Sequence, residues 1–203
     1  MIMKVGVFIG SFNPIHNGHL MIINWLLDNS GLDNILIVPS PNSFGKLDLV
    51  DFSHRFKMIS DLVNSIDDSR VNCSDIEITL TGYTSDTLST LKESNENNDY
   101  VLIIGADNFP NLMKFNKAEW ILRNFEIYVL DRDRSTLETT IPEEISKLGL
   151  VISDCKGIKT FSDFPETKMS SSFIRSQVRN NNRIWAYVPK IINDYITLNN
   201  LYK

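Results

Sequence analysis

An α/β fold on a mostly parallel sheet is what this sequence predicts, and three observations carry that expectation. Four short runs, "KVGVFI" (4–9), "NILIVP" (34–39), "YVLIIG" (100–105) and "FEIYVL" (125–130), are nearly continuous in apolar residues. Strands buried on both faces read this way, whereas strands with one wet face alternate. Longer segments of helical period separate the runs, and strand–helix–strand repetition gives βαβ units. The chain has 203 residues, enough for one domain and for a core that removes roughly 70% of the unfolded surface from water.

In chain order, the first strand is expected to end at Ile9, with a turn at Gly10 and Ser11 and a helix over 18–29. Strand 34–39 precedes a helix over 51–66, whose start at Asp51 is acidic as helix starts favour. Segment 71–80, "VNCSDIEITL", reads as a further strand because Ile76, Ile78 and Leu80 alternate. Helices follow over 84–94 and 115–124, flanking the strands at 100–105 and 125–130. The segment 157–165, "GIKTFSDFP", reads as a long connection with few core residues. "SNENND" (94–99) and "NNN" (180–182) are polar loop tips. No repeat and no clear linker are visible.

Composition narrows the function classes. Twenty Lys and Arg stand against 25 Asp and Glu, for a net charge of −5. That balance argues against a broad nucleic-acid face, which shows as a basic excess, and leaves room for a small basic pocket. Cys73 and Cys155 are far apart and form no CxxC pair, so neither a zinc knuckle nor a disulfide scaffold is indicated. The apolar start "MIMKVGVFIG" is short and lacks a signal-peptide cleavage pattern. No apolar run reaches about 18 residues, so no membrane span is expected and a cytoplasmic location is the default.

The stretch "GSFNPIHNGHL" (10–20) is the most informative in the chain. A Gly-Ser turn at a strand end, followed by a helix, presents backbone N–H groups and a helix N-terminus to whatever lies above the strand. His16 precedes that helix and His19 falls in its first turn, so both can reach one anion. One imidazole alone would read as a cap or a packed turn residue; two with a glycine between them point to a phosphate site. A metal pair fits less well, because the spacing is not HExxH and third ligands are not evident.

These residues carry a resemblance. "GSFNPIHNGHL" resembles the HxGH-bearing first motif of the nucleotidyltransferase superfamily, and "KMSSSFIRSQV" (168–178) resembles its second, with Met169, Ser170, Ser171, Ser172, Ile174 and Arg175 in register. "GYTSDTLSTL" (82–91) is similar to a Tyr-Thr-x-x-Thr-Leu element, and "IIGADNF" (103–109) to a Gly-Ala-Asp element. "YVPKIINDYITLNNLY" (187–202) is similar to a closing helix. Together, in this order, they resemble the nicotinate/nicotinamide mononucleotide adenylyltransferases, and most closely their bacterial nicotinate-type branch. The resemblance implies a Rossmann-like, mostly parallel sheet with helices on both faces. It also implies a single nucleotidyltransferase domain over 1–203 with a small helical part from about 165.

The implied reaction joins ATP and nicotinate mononucleotide into nicotinate adenine dinucleotide and pyrophosphate; nicotinamide mononucleotide is the alternative acceptor. The nucleophile is a phosphate monoester, already ionised at neutral pH, so no general base is needed. Positioning and charge stabilisation can then carry catalysis. By resemblance, His16, His19 and Arg175 are the catalytic residues, and Gly10, Ser11, Phe12, Lys46, Ser171 and Ser172 join them around ATP. Lys46 lacks the Pro-Pro-His that usually precedes a phosphate-binding residue there. The mononucleotide is expected at Asn13, Tyr83, Thr84, Gly105, Asp107, Phe115, Asn116 and Arg132, with Arg134 a rival to Arg132. Phe115 and Asn116 stand where nicotinate-type relatives often carry Trp-Lys. Phe115 can stack on the pyridine or pack in the core, and Asp107 can hold ribose hydroxyls or cap a helix. Mg²⁺ is implied with the ATP phosphates, mostly on water ligands. The oligomeric state stays open, a homo-oligomer included.

Three other readings compete. Class I aminoacyl-tRNA synthetases share paired motifs of this kind, yet the chain shows no anticodon domain and is acidic. Phosphopantetheine adenylyltransferase is shorter and usually has Thr for the first His. A non-catalytic nucleotide sensor is opposed by the intact His16, His19 and Arg175.

Overall fold

The computed structural model describes residues 2–42, 48–131, 137–163 and 169–203. The chain runs β1 (Met3–Gly10), α1 (Asn17–Asn29), β2 (Asn34–Pro39), α2 (Phe52–Ser65), β3 (Val71–Cys73), α3 (Thr84–Ser94) and β4 (Asn98–Gly105). It continues through α4 (Phe109–Leu112), α5 (Ala118–Asn124), β5 (Glu126–Leu130), α6 (Leu137–Ser146), β6 (Gly157–Phe161), α7 (Ser171–Arg179) and α8 (Lys190–Leu198). The strands form one sheet in the order β3-β2-β1-β4-β5-β6, and every pairing is parallel.

The apolar runs have the expected cause. Phe8, Ile35, Ile37, Val101, Ile103, Tyr128 and Leu130 point to one face, where α1, α2, α7 and α8 supply Ile22, Leu26, Met58, Ile59, Ile174, Ile192 and Ile196. Val5, Val7, Val38, Leu102, Ile104, Ile127 and Val129 point to the other, against Leu88, Leu91, Ile121, Leu122, Ile141 and Ile145 of α3, α5 and α6. Successive strand residues thus enter two separate cores, and neither face of the sheet is left wet. The two C-terminal helices share the α1 core, with α8 lying against α2.

Two expectations are corrected. Segment 71–80 holds only the three-residue β3, after which Ile76–Ile78 form a 3₁₀ turn. Ser74 ends the strand: its N–H still donates to Ile37 O, while its hydroxyl accepts from the Ile76 N–H and bends the chain. The alternation there is inverted, since Ile78 is 64% exposed and Glu77 is buried. The second correction is β6 within 157–165, which pairs with β5 at the sheet edge. Lys159 and Thr160 lie exposed on it, the polar dressing that an edge strand tolerates and that hides its signal.

Glu77 makes a stability prediction. Thr87 Oγ donates to its Oε1, and Oε2 is buried with no partner among the described residues. Burial, more than the charge of Asp86, raises its carboxyl above the ordinary 4.5, against the Thr87 bond that lowers it. A carboxyl raised in the fold makes the native state the better proton binder, so stability is lost as pH climbs from about 4.5 through the folded value. Glu77→Gln keeps an acceptor for Thr87 and has no charge to bury. Its denaturation midpoint should exceed the parent's at pH 7, with the gap closing toward pH 4.5; a lower midpoint at pH 7 would contradict this.

Candidate active site

The chain leaves β1 for β2 and β3 on one side, then crosses to β4 on the other, so the β1–β4 boundary is the topological switch point. Crevices beyond the carboxyl ends of parallel strands at such a point are where ligands bind. A cavity of about 420 Å³ opens there, walled by Gly10 and Ser11 after β1, Ser40 and Pro41 after β2, and Ile104 of β4. Tyr83 and Thr84 at the start of α3, with Asn108, Lys114, Phe115 and Asn116, close its far side.

On the other flank of Gly10–Ser11 stands the histidine turn. Asn13–Pro14 is a cis peptide, Phe12 is left-handed at φ 43°, and α1 starts at Asn17 with His16 as its N-cap. The His16 and His19 rings stack with centroids 3.7 Å apart, and Phe12 meets His19 edge-on at 5.0 Å. The His16 N–H donates to His19 Nδ1 at 3.2 Å. An accepting Nδ1 carries no proton, so neutral His19 holds its proton on Nε2, where it serves as a donor. The third histidine, His54, bonds Tyr195 Oη at 3.0 Å and links α2 to α8.

The C-terminal motif docks on this turn. Ser170 caps α7 by accepting from the Phe173 N–H at 3.1 Å. Ser171 Oγ donates to Pro14 O at 2.9 Å, and Arg175 Nη1 donates to Asn13 O at 3.0 Å. Arg175 Nη2 reaches Ser172 Oγ at 3.3 Å, while its buried Nε has no partner among the described residues. Asn17 is held by the next loop, its N–H donating to Tyr187 O and its Nδ2 to Ala186 O. Two helix N-termini, two imidazoles and a guanidinium therefore converge on one small volume. That is a place for negative charge.

The other sequence-selected residues fall as follows. Tyr83, Thr84, Phe115 and Asn116 line the cavity, and Phe115 also packs against the second core. Asn116 Nδ2 approaches Ser85 Oγ at 3.4 Å. Gly105 ends β4; a Cβ there would collide with Asp107 Oδ1, which folds back over it. Asp107 lies within the 3₁₀ turn Ala106–Asn108 and is not that turn's cap, which is Gly105. The Phe12 ring is buried, leaving its backbone as the part that can meet a ligand. Asn13 is buried and occupied: Nδ2 donates to Asp48 O and Oδ1 accepts from the Val50 N–H. Lys46, Arg132 and Arg134 lie outside the described residues.

Two residues escaped the sequence reading. Lys114 is the one formal charge in the cavity wall among the described residues, beside Phe115. Arg55 is wholly buried under the Ser11 turn. Its signal was present, because Arg55 shares the stripe of Met58, Ile59 and Leu62 on α2, where a charge has no ordinary place.

The model of the cytidylyltransferase-like family matches residues 7–177, from β1 to the end of the Ser-Arg motif, and the chain belongs to that family. A Flavobacterium johnsoniae protein named "Probable nicotinate-nucleotide adenylyltransferase" is 34% identical over 99% of this chain and all of its own length. The Bacillus subtilis nicotinate-nucleotide adenylyltransferase is 30% identical over 98% of each chain. Within the family, the chain falls among the nicotinate-nucleotide adenylyltransferases. In fold it matches the Plasmodium falciparum nicotinic acid mononucleotide adenylyltransferase complexed with NaAD, with a TM-score of 0.80 and 21% identity over 98% of this chain and 97% of that one. No helix among the described residues is long and apolar enough to cross a membrane.

Proposed function

We propose that this chain transfers the adenylyl group of ATP to nicotinate mononucleotide, releasing pyrophosphate and forming nicotinate adenine dinucleotide. The observation that carries the reading is the meeting of the His16–His19 turn and the α7 N-terminus beside an aromatic-walled cavity at the switch point. A triphosphate suits the first and a pyridine nucleotide the second. A mononucleotide phosphate oxygen attacks the α-phosphorus; the bond from that phosphorus to the bridging oxygen breaks, and pyrophosphate leaves with the electron pair. No proton has to move.

The residues' tasks follow from their chemistry. His19 Nε2–H and His16 donate to phosphate oxygens, with backbone N–H groups of Gly10, Ser11 and Phe12 beside them. Arg175, with Ser171 and Ser172, stabilises the departing pyrophosphate. Tyr83, Thr84, Phe115 and Asn116 take the pyridine end; Gly105 and Asp107 take ribose, with Asn13 holding the loop between the two substrates. Among the described residues no three His, Cys, Asp or Glu converge to hold a metal. Mg²⁺ fits as a companion of ATP, bound by phosphate oxygens and water, where it offsets phosphate charge. A cytoplasmic setting suits two thiols, Cys73 and Cys155, that are not bridged.

The acid is the favoured acceptor because a single lysine, Lys114, and the start of α3 at Thr84 give the cavity a cationic bias. Asn116 keeps the amide as the second reading, since its side-chain oxygen can accept from an NH₂. With ATP saturating, kcat/KM for nicotinate mononucleotide should exceed that for the amide at least tenfold, about 1.4 kcal/mol. Equal or reversed ratios would assign the amide. No pyrophosphate from either would end the reading.

A further inference from the structure

We propose that Arg55 is a positioning residue for the triphosphate half of the site. It acts through the Ser11–Phe12 peptide, and the inference rests on the adenylyl-transfer reading above. Arg55 is 0% exposed, and its guanidinium makes three bonds to neutral acceptors. Nη1 donates to Ser11 O at 2.7 Å, Nη2 to Asn42 Oδ1 at 2.6 Å and Nε to Val50 O at 3.0 Å. Its Cζ also lies over the Phe52 ring, 5.6 Å from the centroid.

No carboxylate bonds to Arg55 among the described residues; Asp51 acts on it only through space. Burying a guanidinium is costly, and desolvation pulls its pKa down from the ordinary value. A bare structural tie of three carbonyl-type oxygens does not need a full charge. A polyanion bound on the far side of the peptide does.

The peptide transmits the effect. Ser11–Phe12 is trans, so its C=O and N–H point in opposite directions. The carbonyl faces Arg55, so the Phe12 N–H points the opposite way, away from Arg55. A charge-assisted bond to the carbonyl polarises the whole peptide and makes that N–H a stronger donor. It also holds Phe12 in its left-handed conformation, which a side-chain-bearing residue adopts only under constraint. By gripping Asn42 and Val50 as well, Arg55 ties the chain after β2 and the chain before α2 to the same peptide.

The test separates positioning from simple stability. Arg55→Met, Arg55→Lys and the exposed-site Asn42→Ala are measured well below their melting temperatures, with steady-state kinetics for each substrate and calorimetry with inorganic pyrophosphate. Arg55→Met should raise KM for ATP and weaken pyrophosphate binding at least tenfold, with KM for nicotinate mononucleotide within twofold of the parent. Arg55→Lys, which keeps the charge, should recover part of that loss. Asn42→Ala should raise KM for ATP about threefold and decides the matter if both Arg55 variants fail to fold. A variant that merely loses active molecules shows lower kcat with both KM values unchanged, and that outcome, or equal rises in both, overturns the proposal. An inactive parent enzyme would instead refute the adenylyl-transfer reading on which it rests.

Discussion

Replacing His19 with alanine should lower turnover at least a hundredfold while the protein stays folded. The ring is held by a stack with His16 at 3.7 Å and by the His16 N–H on Nδ1, and Phe12 closes it from the side. That cage puts the proton on Nε2 and orients the ring before any ligand arrives. A donor prepared in this way does not reorganise when charge shifts to the leaving phosphate, which is why deleting one costs about a hundred- to a thousandfold. In barrier terms, a hundredfold is about 2.7 kcal/mol. Alanine is a good helix residue at this third position of α1, so the helix should persist, losing a capping bond and the ring's packing on His16 and Phe12. A folded His19→Ala protein with near-parental turnover would leave His19 as a packing residue of the helix start.

Arg175→Ala should reduce kcat/KM for ATP at least a hundredfold and leave mononucleotide binding within threefold. The side chain reaches Asn13 O and Ser172 Oγ, and its buried Nε–H is a donor left over among the described residues. It stands on the histidine flank, not in the wall of the cavity assigned to the pyridine nucleotide. Loss of a guanidinium that neutralises pyrophosphate acts on one substrate only. Calorimetry with the mononucleotide alone, beside steady-state kinetics for ATP, reads both halves. Equal losses would place Arg175 between the substrates or in the fold.

Much of the fold is legible because its causes are local. A strand covered on both faces must be apolar at nearly every position, so β1, β2, β4 and β5 announce themselves within five to eight residues. β6 does not, since an edge strand with exposed Lys159 and Thr160 has no reason to be apolar. Ile76 and Ile78 misled for the opposite cause: alternation is a strand signal only if a ladder exists, and the Ser74 hydroxyl turns the chain before one can form. The same holds at the site. His16 and His19 are neighbours in sequence and in space, so their pairing is readable. Lys114 has no local mark, because its meaning comes from the cavity it borders.

The sequence by itself determined the α/β class, the places of the buried strands along the chain and the pairing of His16 and His19 on one turn. Each of these depends on hydrogen-bond geometry or side-chain period within a few residues. Only the tertiary structure decided that the Ser-Arg motif closes on that turn, with Ser171 meeting Pro14 across 157 residues and Arg175 meeting Asn13 across 162. It alone decided that a charge on the apolar stripe of α2 sits beneath Ser11, and that Glu77, not Ile78, goes inside. The physical reason is that period and propensity say which face of an element is buried. What meets that face is set by the packing of elements distant in the chain, and a charge or carboxylate can enter the interior only where that packing brings it a partner.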